Sequence, residues 1–383
     1  MPASARKLAV LPAAPVAPAP NSLPVSRPTM PRAEQVLPYL QAMDAAGWYS
    51  NFGPLLMQFE ARLQARFTDG AQVVTAGNAT LAIGLALKSM GLRPGARVAI
   101  PAWTFVATAH AVLWAGYRPW LIDVDAATSM LDPLATERAL ADAPGPVDAV
   151  IPVMAHGAPI DLDAWVLFQD RTGVRVLIDA AAAFDVLDRA PLPAVVSLHA
   201  TKALGVGEGG FFVSRDPVLN EAVRRMTGFG FMGDRVATIA STNAKLSEYA
   251  AAVGLAALDG WPGVRERYMR VAQRLRLALM GRPDAAFQSG WGLTWISSVC
   301  VVDLPAGSAE TLADTLAEAG VATRRWWGEG CHREPAFAEC ERAAVPVTDA
   351  LARSQLGLPF YSTMSDAEVD HLASALSQAL DRL

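Results

Sequence analysis

The sequence predicts an α/β fold built on a mostly parallel sheet, and three observations carry that prediction. Short apolar runs alternate with longer helix-like stretches from Met30 onward. Several of these runs are continuously apolar rather than alternating, as strands covered on both faces are. Hydrophobic residues make up 52% of the 383 and charged residues only 18%, so the chain can bury enough surface to offset its ordering entropy. Strands separated by helical patterns build βαβ units.

The elements follow in order. Residues 1–29 are rich in Ala and Pro, and Pro12, Pro15, Pro18 and Pro20 break up any signal-peptide apolar region, so the stretch reads as a flexible leader. VVTA (73–76) leads into the helical pattern NATLAIGLALKSMG, and ARVAIPA (96–102) into TFVATAHAVLWAG. PWLIDVD (119–125), DAVIPVM (148–154), VRVLIDA (174–180) and AVVSLHA (194–200) are further strands. Past Ser247 the texture changes to long Ala/Leu/Arg helices, then a strand within 294–304, another helix and a C-terminal helix over SDAEVDHLASALSQALDRL. A boundary near Trp261 separates a large domain, residues 30–260, from a smaller C-terminal α+β domain, residues 261–383.

Composition narrows the function. Thirty-two basic against thirty-seven acidic residues give a net charge of −5, without the basic excess of a nucleic-acid binder. Cys300, Cys331 and Cys340 are too few for a disulfide framework and predict a reducing, cytoplasmic setting. Residues 98–117 carry no formal charge over twenty positions, a length that spans a bilayer. Pro101, Thr104, Thr108 and His110 interrupt the run, which reads as a buried strand and then a helix ending at Gly116, so no membrane partner is expected. Gly205–Gly210 and Gly228–Gly233 both match G-x-G-x-x-G, but the first runs into a strand and the second follows none, so neither is a dinucleotide fingerprint. No metal-ligand spacing occurs.

One pairing carries chemistry. Asp179 ends an apolar strand, and Lys202 lies 23 residues later, just past a second strand. In an open α/β sheet the carboxyl ends of the strands line the ligand crevice. A lysine there can form a Schiff base with an aldehyde cofactor, and pyridoxal phosphate (PLP) enzymes pair that lysine with an acid at the pyridinium nitrogen. On spacing alone, a surface lysine and a helix-capping aspartate are the simpler account.

The wider context changes that balance. SLHATKALGVGEGG (197–210) resembles the lysine motif, S-x-H-x-T-K followed by G-E-G-G, of the DegT/DnrJ/EryC1/StrS family of PLP-dependent sugar aminotransferases. WYSNFGPLLMQFEARLQARF (48–67) resembles the family's entry segment and TAGNATLAI (75–83) its phosphate turn. PAWTFVATAHAVLWAGYRPWLIDVD (101–125) resembles its P-x-x-T-F-x-A-T pattern. GAPIDLDA, IDAAAAF, NAKLSEYAAAVGLAAL and PVTDALARSQLGLPFYSTMSDAEVD follow in the family's order, so the resemblance covers about residues 30–383. It implies PLP-dependent transferase fold type I, the aspartate aminotransferase-like arrangement, with a mostly parallel seven-stranded sheet in the large domain.

The resemblance also assigns roles. Lys202 matches the Schiff-base lysine and catalytic acid/base, Asp179 the pyridinium partner, and Trp103 the aromatic that stacks on the cofactor ring. Gly77 and Asn78 match the phosphate turn at a helix N-terminus, which favours an anion, and Ser197 a hydroxyl that also reaches the phosphate. Asn243 matches an asparagine that reaches the neighbouring subunit's cofactor, which implies a homodimer with shared active sites. Glu208 belongs to the motif with a structural role only. Ala182 stands where many relatives carry Gln or His near the cofactor's ring hydroxyl. In the divergent segment 324–332, Trp326 is a candidate to stack on a sugar or base and His332 to bind a diphosphate, against plain packing for each. The implied activity transfers an amino group from L-glutamate to a nucleotide-linked keto sugar, a 4-keto-6-deoxyhexose foremost. The alternatives are a 3-keto sugar or cyclitol substrate, a dehydratase, or a non-catalytic PLP-binding regulator. Dehydrating relatives replace the lysine with His, and Lys202 is intact.

Overall fold

The apolar runs become one continuous sheet in the structure, a computed structural model that describes residues 22–231 and 233–383. Its strands are β1 (Gln72–Ala76), β2 (Arg97–Pro101), β3 (Arg118–Ile122), β4 (Val147–Val150), β5 (Arg175–Val176), β6 (Ile178–Asp179), β7 (Ala194–Ser197) and β8 (Gly210–Ser214). β5 and β6 are halves of one strand: the intervening Leu177 N–H donates to Val150 O at 3.0 Å, and Asp179 bridges Val153 in parallel register. The order across the sheet is therefore β3-β2-β4-β5/β6-β7-β8-β1, seven strands before the C-terminal lobe adds to its edge. Only β8 runs against its neighbours, pairing antiparallel with both β1 and β7. Every residue of β2, β7 and β8 is buried, which is why these strands read as unbroken apolar runs.

Helices connect and cover the strands. α1 (Ala33–Ala46) and α2 (Pro54–Gln64) precede β1; α3 (Ala79–Ser89) follows β1 and α4 (Val106–Trp114) follows β2. α5 (Pro133–Ala139), α6 (Leu162–Thr172) and α7 (Pro217–Thr227) come next. Residues 98–117 thus fold as β2, a turn and α4, and among the described residues no helix is long and apolar enough to cross a membrane.

α8 (Glu248–Ala278) is a single helix of 31 residues with Pro262 inside it. The boundary expected near Trp261 falls within this helix. Its first half packs on α1 and α2, and its second half on the C-terminal helix, where Arg274 pairs with Asp370 at 2.8 Å. Those contacts offset the N–H that Pro262 removes from the helical ladder. The C-terminal lobe adds β9 (Ala286–Phe287), β10 (Cys300–Asp303), α9 (Ala309–Glu318), β11 (Glu341–Arg342), α10 (Pro346–Ser354), β12 (Gln355–Leu358) and α11 (Asp366–Leu380). β12, β10 and β9 form a separate antiparallel sheet, while β11 extends the large sheet beside β3.

The leader needs one correction. Residues 1–21 lie outside the described residues, but residues 22–29 are docked rather than flexible. Leu23 is buried, its N–H donates to Gly320 O at 2.8 Å, and Val25 O accepts from Phe360 N–H at 3.1 Å. Thr29 Oγ1 and Ser362 Oγ lie 2.7 Å apart.

Candidate active site

Parallel strands deliver their carboxyl ends to one side of the sheet, and the chemistry-bearing residues gather there. Asp179 is the last residue of β6 and Ser197 the last of β7, and Asp179 faces Val195 in register. Lys202 follows in a turn closed by its own N–H on His199 O at 2.8 Å. Asp179 is buried; its carboxylate accepts from Thr108 Oγ1–H at 2.8 Å and from Ala181 N–H at 3.1 Å. Thr108 lies on α4, and its hydroxyl is 2.9 Å from that of Thr104.

Electrostatics couple the pair. Burial pushes the Asp179 pKa above the usual carboxylate value, opposed by Thr108, Ala181 and the Lys202 charge. Burial pushes the half-buried Lys202 below the usual lysine value, opposed by Asp179. Each charge is therefore disfavoured by its surroundings and favoured by its partner. A lysine amine displaced toward its neutral form is a better nucleophile for an aldehyde.

Three further elements frame this centre. Trp103, just after β2, is buried, and its Nε1–H donates to Gln355 Oε1 at 3.1 Å. The Trp327 ring meets Trp103 edge-on at 5.4 Å, and His156 stacks on Trp327 at 4.0 Å. At the end of β1, Gly77 N–H donates to Ala244 O at 2.7 Å, and the Asn78 side chain caps α3 by accepting from Leu81 N–H at 2.8 Å. Gly210 of the lysine motif is needed there because a Cβ would sit 2.6 Å from Ala79 N. Ser197 is buried, and its Oγ accepts from His199 N–H at 3.3 Å. Glu208 is exposed, 3.6 Å from His199 Nε2.

The remaining predicted residues lie differently. Asn243 is exposed and its Oδ1 accepts from Lys245 Nζ at 2.6 Å, although its neighbour Ala244 supplies the carbonyl that meets Gly77. Trp326 packs on Gly357 with the Arg324 guanidinium 5.0 Å over its ring. His332 is buried with Nε2 3.1 Å from Asp349 Oδ1, while its Nδ1 has no partner. Sequence reasoning did not single out Thr108, His156, Trp327 or Gln355. Thr108 has a signal, since it closes the T-F-x-A-T pattern; the others have partners too distant in sequence to show one.

The donor set fits PLP. An amine is available for the aldehyde, a buried carboxylate for the ring nitrogen, and the N-terminus of α3 beside Gly77 for the phosphate. The model of the DegT/DnrJ/EryC1/StrS aminotransferase family matches residues 32–377. The chain is 31% identical over 344 residues to the erythromycin biosynthesis sensory transduction protein EryC1 of Saccharopolyspora erythraea, covering 86% of this chain and 91% of that one. DesI, solved in the presence of its TDP-sugar product, superposes with a TM-score of 0.82 at 30% identity, covering 94% and 93%. DesV of S. venezuelae, solved with a ketimine intermediate, gives 0.82 at 27% identity, covering 92% and 95%. Buried acid, lysine and turn thus sit in a chain that matches along nearly its whole length, and it belongs to the DegT/DnrJ/EryC1/StrS family as a PLP-dependent aminotransferase.

Proposed function

We propose that this enzyme transfers an amino group from L-glutamate to a nucleotide-linked keto sugar, a 4-keto-6-deoxyhexose foremost, as a cytoplasmic homodimer with shared active sites. The observation that carries the proposal is the Asp179–Lys202 pair at the ends of adjacent strands in a chain similar to DesI, whose structure holds a TDP-sugar product. PLP, when bound, supplies an electron sink that takes up the amino group and releases it to the second substrate.

The chain's own residues do the rest. Lys202 holds the cofactor and then moves the proton at the substrate carbon as acid and base. Asp179 keeps a proton on the ring nitrogen, and the Thr108 and Ala181 donors hold its carboxylate ionised against the cost of burial. Trp103 flanks the ring, while Gly77, Asn78 and Ser197 hold the phosphate. Exposed Asn243 supports sharing with a second subunit. Retention of Lys202, Asp179, Ser197 and Asn243 together weighs against a non-catalytic regulator.

The test is a panel of nucleotide-linked 3-keto and 4-keto sugars and a keto cyclitol, each incubated with holoenzyme and glutamate. Release of 2-oxoglutarate with a 4-keto-6-deoxy sugar is expected. Turnover of the cyclitol alone, or none with any nucleotide-linked sugar, overturns the substrate assignment.

A further inference from the structure

A buried polar unit beside Trp103 has no part in the chemistry above. Gln355, the first residue of β12, is buried, and its amide is fully engaged. Trp103 Nε1–H can only donate, so the Gln355 oxygen must face it, at 3.1 Å. The Gln355 amide nitrogen donates both its hydrogens elsewhere, to Ser129 Oγ at 2.8 Å and to Asp303 Oδ1 at 2.8 Å. Gln355 also acts on the His156 imidazole, favouring its protonated form. His156 Nε2 is buried without a partner.

His156 is held in this position at a cost. Its φ is 55°, in the left-handed region, and the next residue, Gly157, presses so closely on Ala182 that a Cβ would lie 2.6 Å from the Ala182 carbonyl oxygen. A non-glycine residue with positive φ and an orphaned buried nitrogen persists only where its surroundings over-determine it. Those surroundings are aromatic: His156 covers a face of Trp327 at 4.0 Å, and Trp103 meets the same indole edge-on at 5.4 Å. The cluster adjoins the catalytic pair, since Met154 N–H donates to Asp179 O at 2.9 Å and the Lys202 charge acts on His156.

We propose that Gln355 is a positioning residue for the cofactor-facing wall of the site. Its carbonyl oxygen, in the C-terminal sheet, accepts from Trp103, fixes the tilt of the Trp103 ring, and so ties cofactor affinity to the seating of β12 and β10. The proposal rests on the reading that Trp103 flanks the cofactor.

The experiment measures PLP dissociation constants and the visible circular dichroism of bound PLP. Gln355→Leu removes the acceptor and Trp103→Phe removes the N–H while keeping a ring. Each single variant is expected to bind PLP about tenfold more weakly, the equivalent of one lost buried hydrogen bond. The visible dichroism should change with it. The double variant should be no weaker than the weaker single, because both act through one bond. Additive losses overturn the proposal. Trp103→Ala separates the two levels: if it leaves affinity and dichroism unmoved, the Trp103 reading itself fails. If it weakens PLP binding while Gln355→Leu does not, only the positioning role fails. Should Gln355→Leu not fold, Gln355→Glu replaces it. That variant keeps the acceptor and loses the donors to Ser129 and Asp303, so a lower melting temperature with unchanged PLP affinity and dichroism is expected. A weakened affinity at unchanged dichroism overturns the proposal.

Discussion

Acid should find His156 before most of the fold. Burial lowers its pKa from 6.5 to about 3, so the folded chain keeps the imidazole neutral over a range in which the unfolded chain protonates it. The unfolded state binds the extra proton, so the contribution of His156 is fully present above pH 6.5 and is lost as pH falls toward 3. pH 5 lies about 1.5 units below the unfolded imidazole's pKa, which at about 1.4 kcal/mol per unit costs about 2 kcal/mol of stability. His156→Asn removes the titration, and Asn tolerates the left-handed backbone at φ 55° better than most residues. The assay is urea unfolding of both proteins at pH 7 and pH 5 with saturating PLP, so that cofactor linkage is common to the two. The variant starts lower, having lost its contact with Trp327, but the wild type should lose about 2 kcal/mol more between the two pH values. Parallel losses would refute the reasoning, because they would mean that the folded chain protonates His156 as readily as the unfolded one.

Three other outcomes follow from the same contacts. Glu248 is buried at the start of α8 and accepts from the N–H groups of Leu55 and Leu56 at 2.9 and 2.8 Å, so Glu248→Ala leaves both at the N-terminus of α2 unpaired and should cost about 2–3 kcal/mol in urea unfolding. Gly254→Ala should destabilise by about 1–3 kcal/mol despite the better helix former, because the new Cβ would lie 2.5 Å from the Phe59 ring; a raised melting temperature would contradict this. Asp179→Asn should leave the cofactor-free chain at least as stable at pH 7. Its raised pKa means that ionisation costs stability increasingly as pH rises from 3.8 through the folded value. The same substitution should slow the glutamate half-reaction about a hundredfold or more, measured by stopped-flow absorbance.

The strands were legible because both faces of the large sheet are covered, and continuous runs such as AVVS at β7 leave little alternative. The pairing of Asp179 with Lys202 was legible as well, since both ends of the pair follow strands and the motif around Lys202 is specific. The docking of Leu23 was not, because its partners near Gly320 lie about three hundred residues away and a short Pro-flanked stretch reads as leader. The continuity of α8 across the boundary expected near Trp261 was not legible, because Gly260 and Pro262 are weak helix residues locally, while the packing that overrides them comes from α1, α2 and α11. His332 and Trp326 were legible only as residue types. Each is a residue type that ligand sites use, and only the structure reveals Asp349 beside one and Gly357 beneath the other. Gln355 and His156 gave no signal, since a buried amide and a strained imidazole become visible only when their contacts assemble.

The account's central claim is that Lys202 holds the cofactor opposite Asp179. The chain has four lysines, Lys7, Lys88, Lys202 and Lys245, so fixing bound PLP with borohydride and mapping the modified peptide by mass spectrometry discriminates among them. The account predicts a single phosphopyridoxyl label on Lys202, abolished in Lys202→Ala. A label on Lys88 or Lys245 in the wild type, or one that persists in Lys202→Ala, would contradict it.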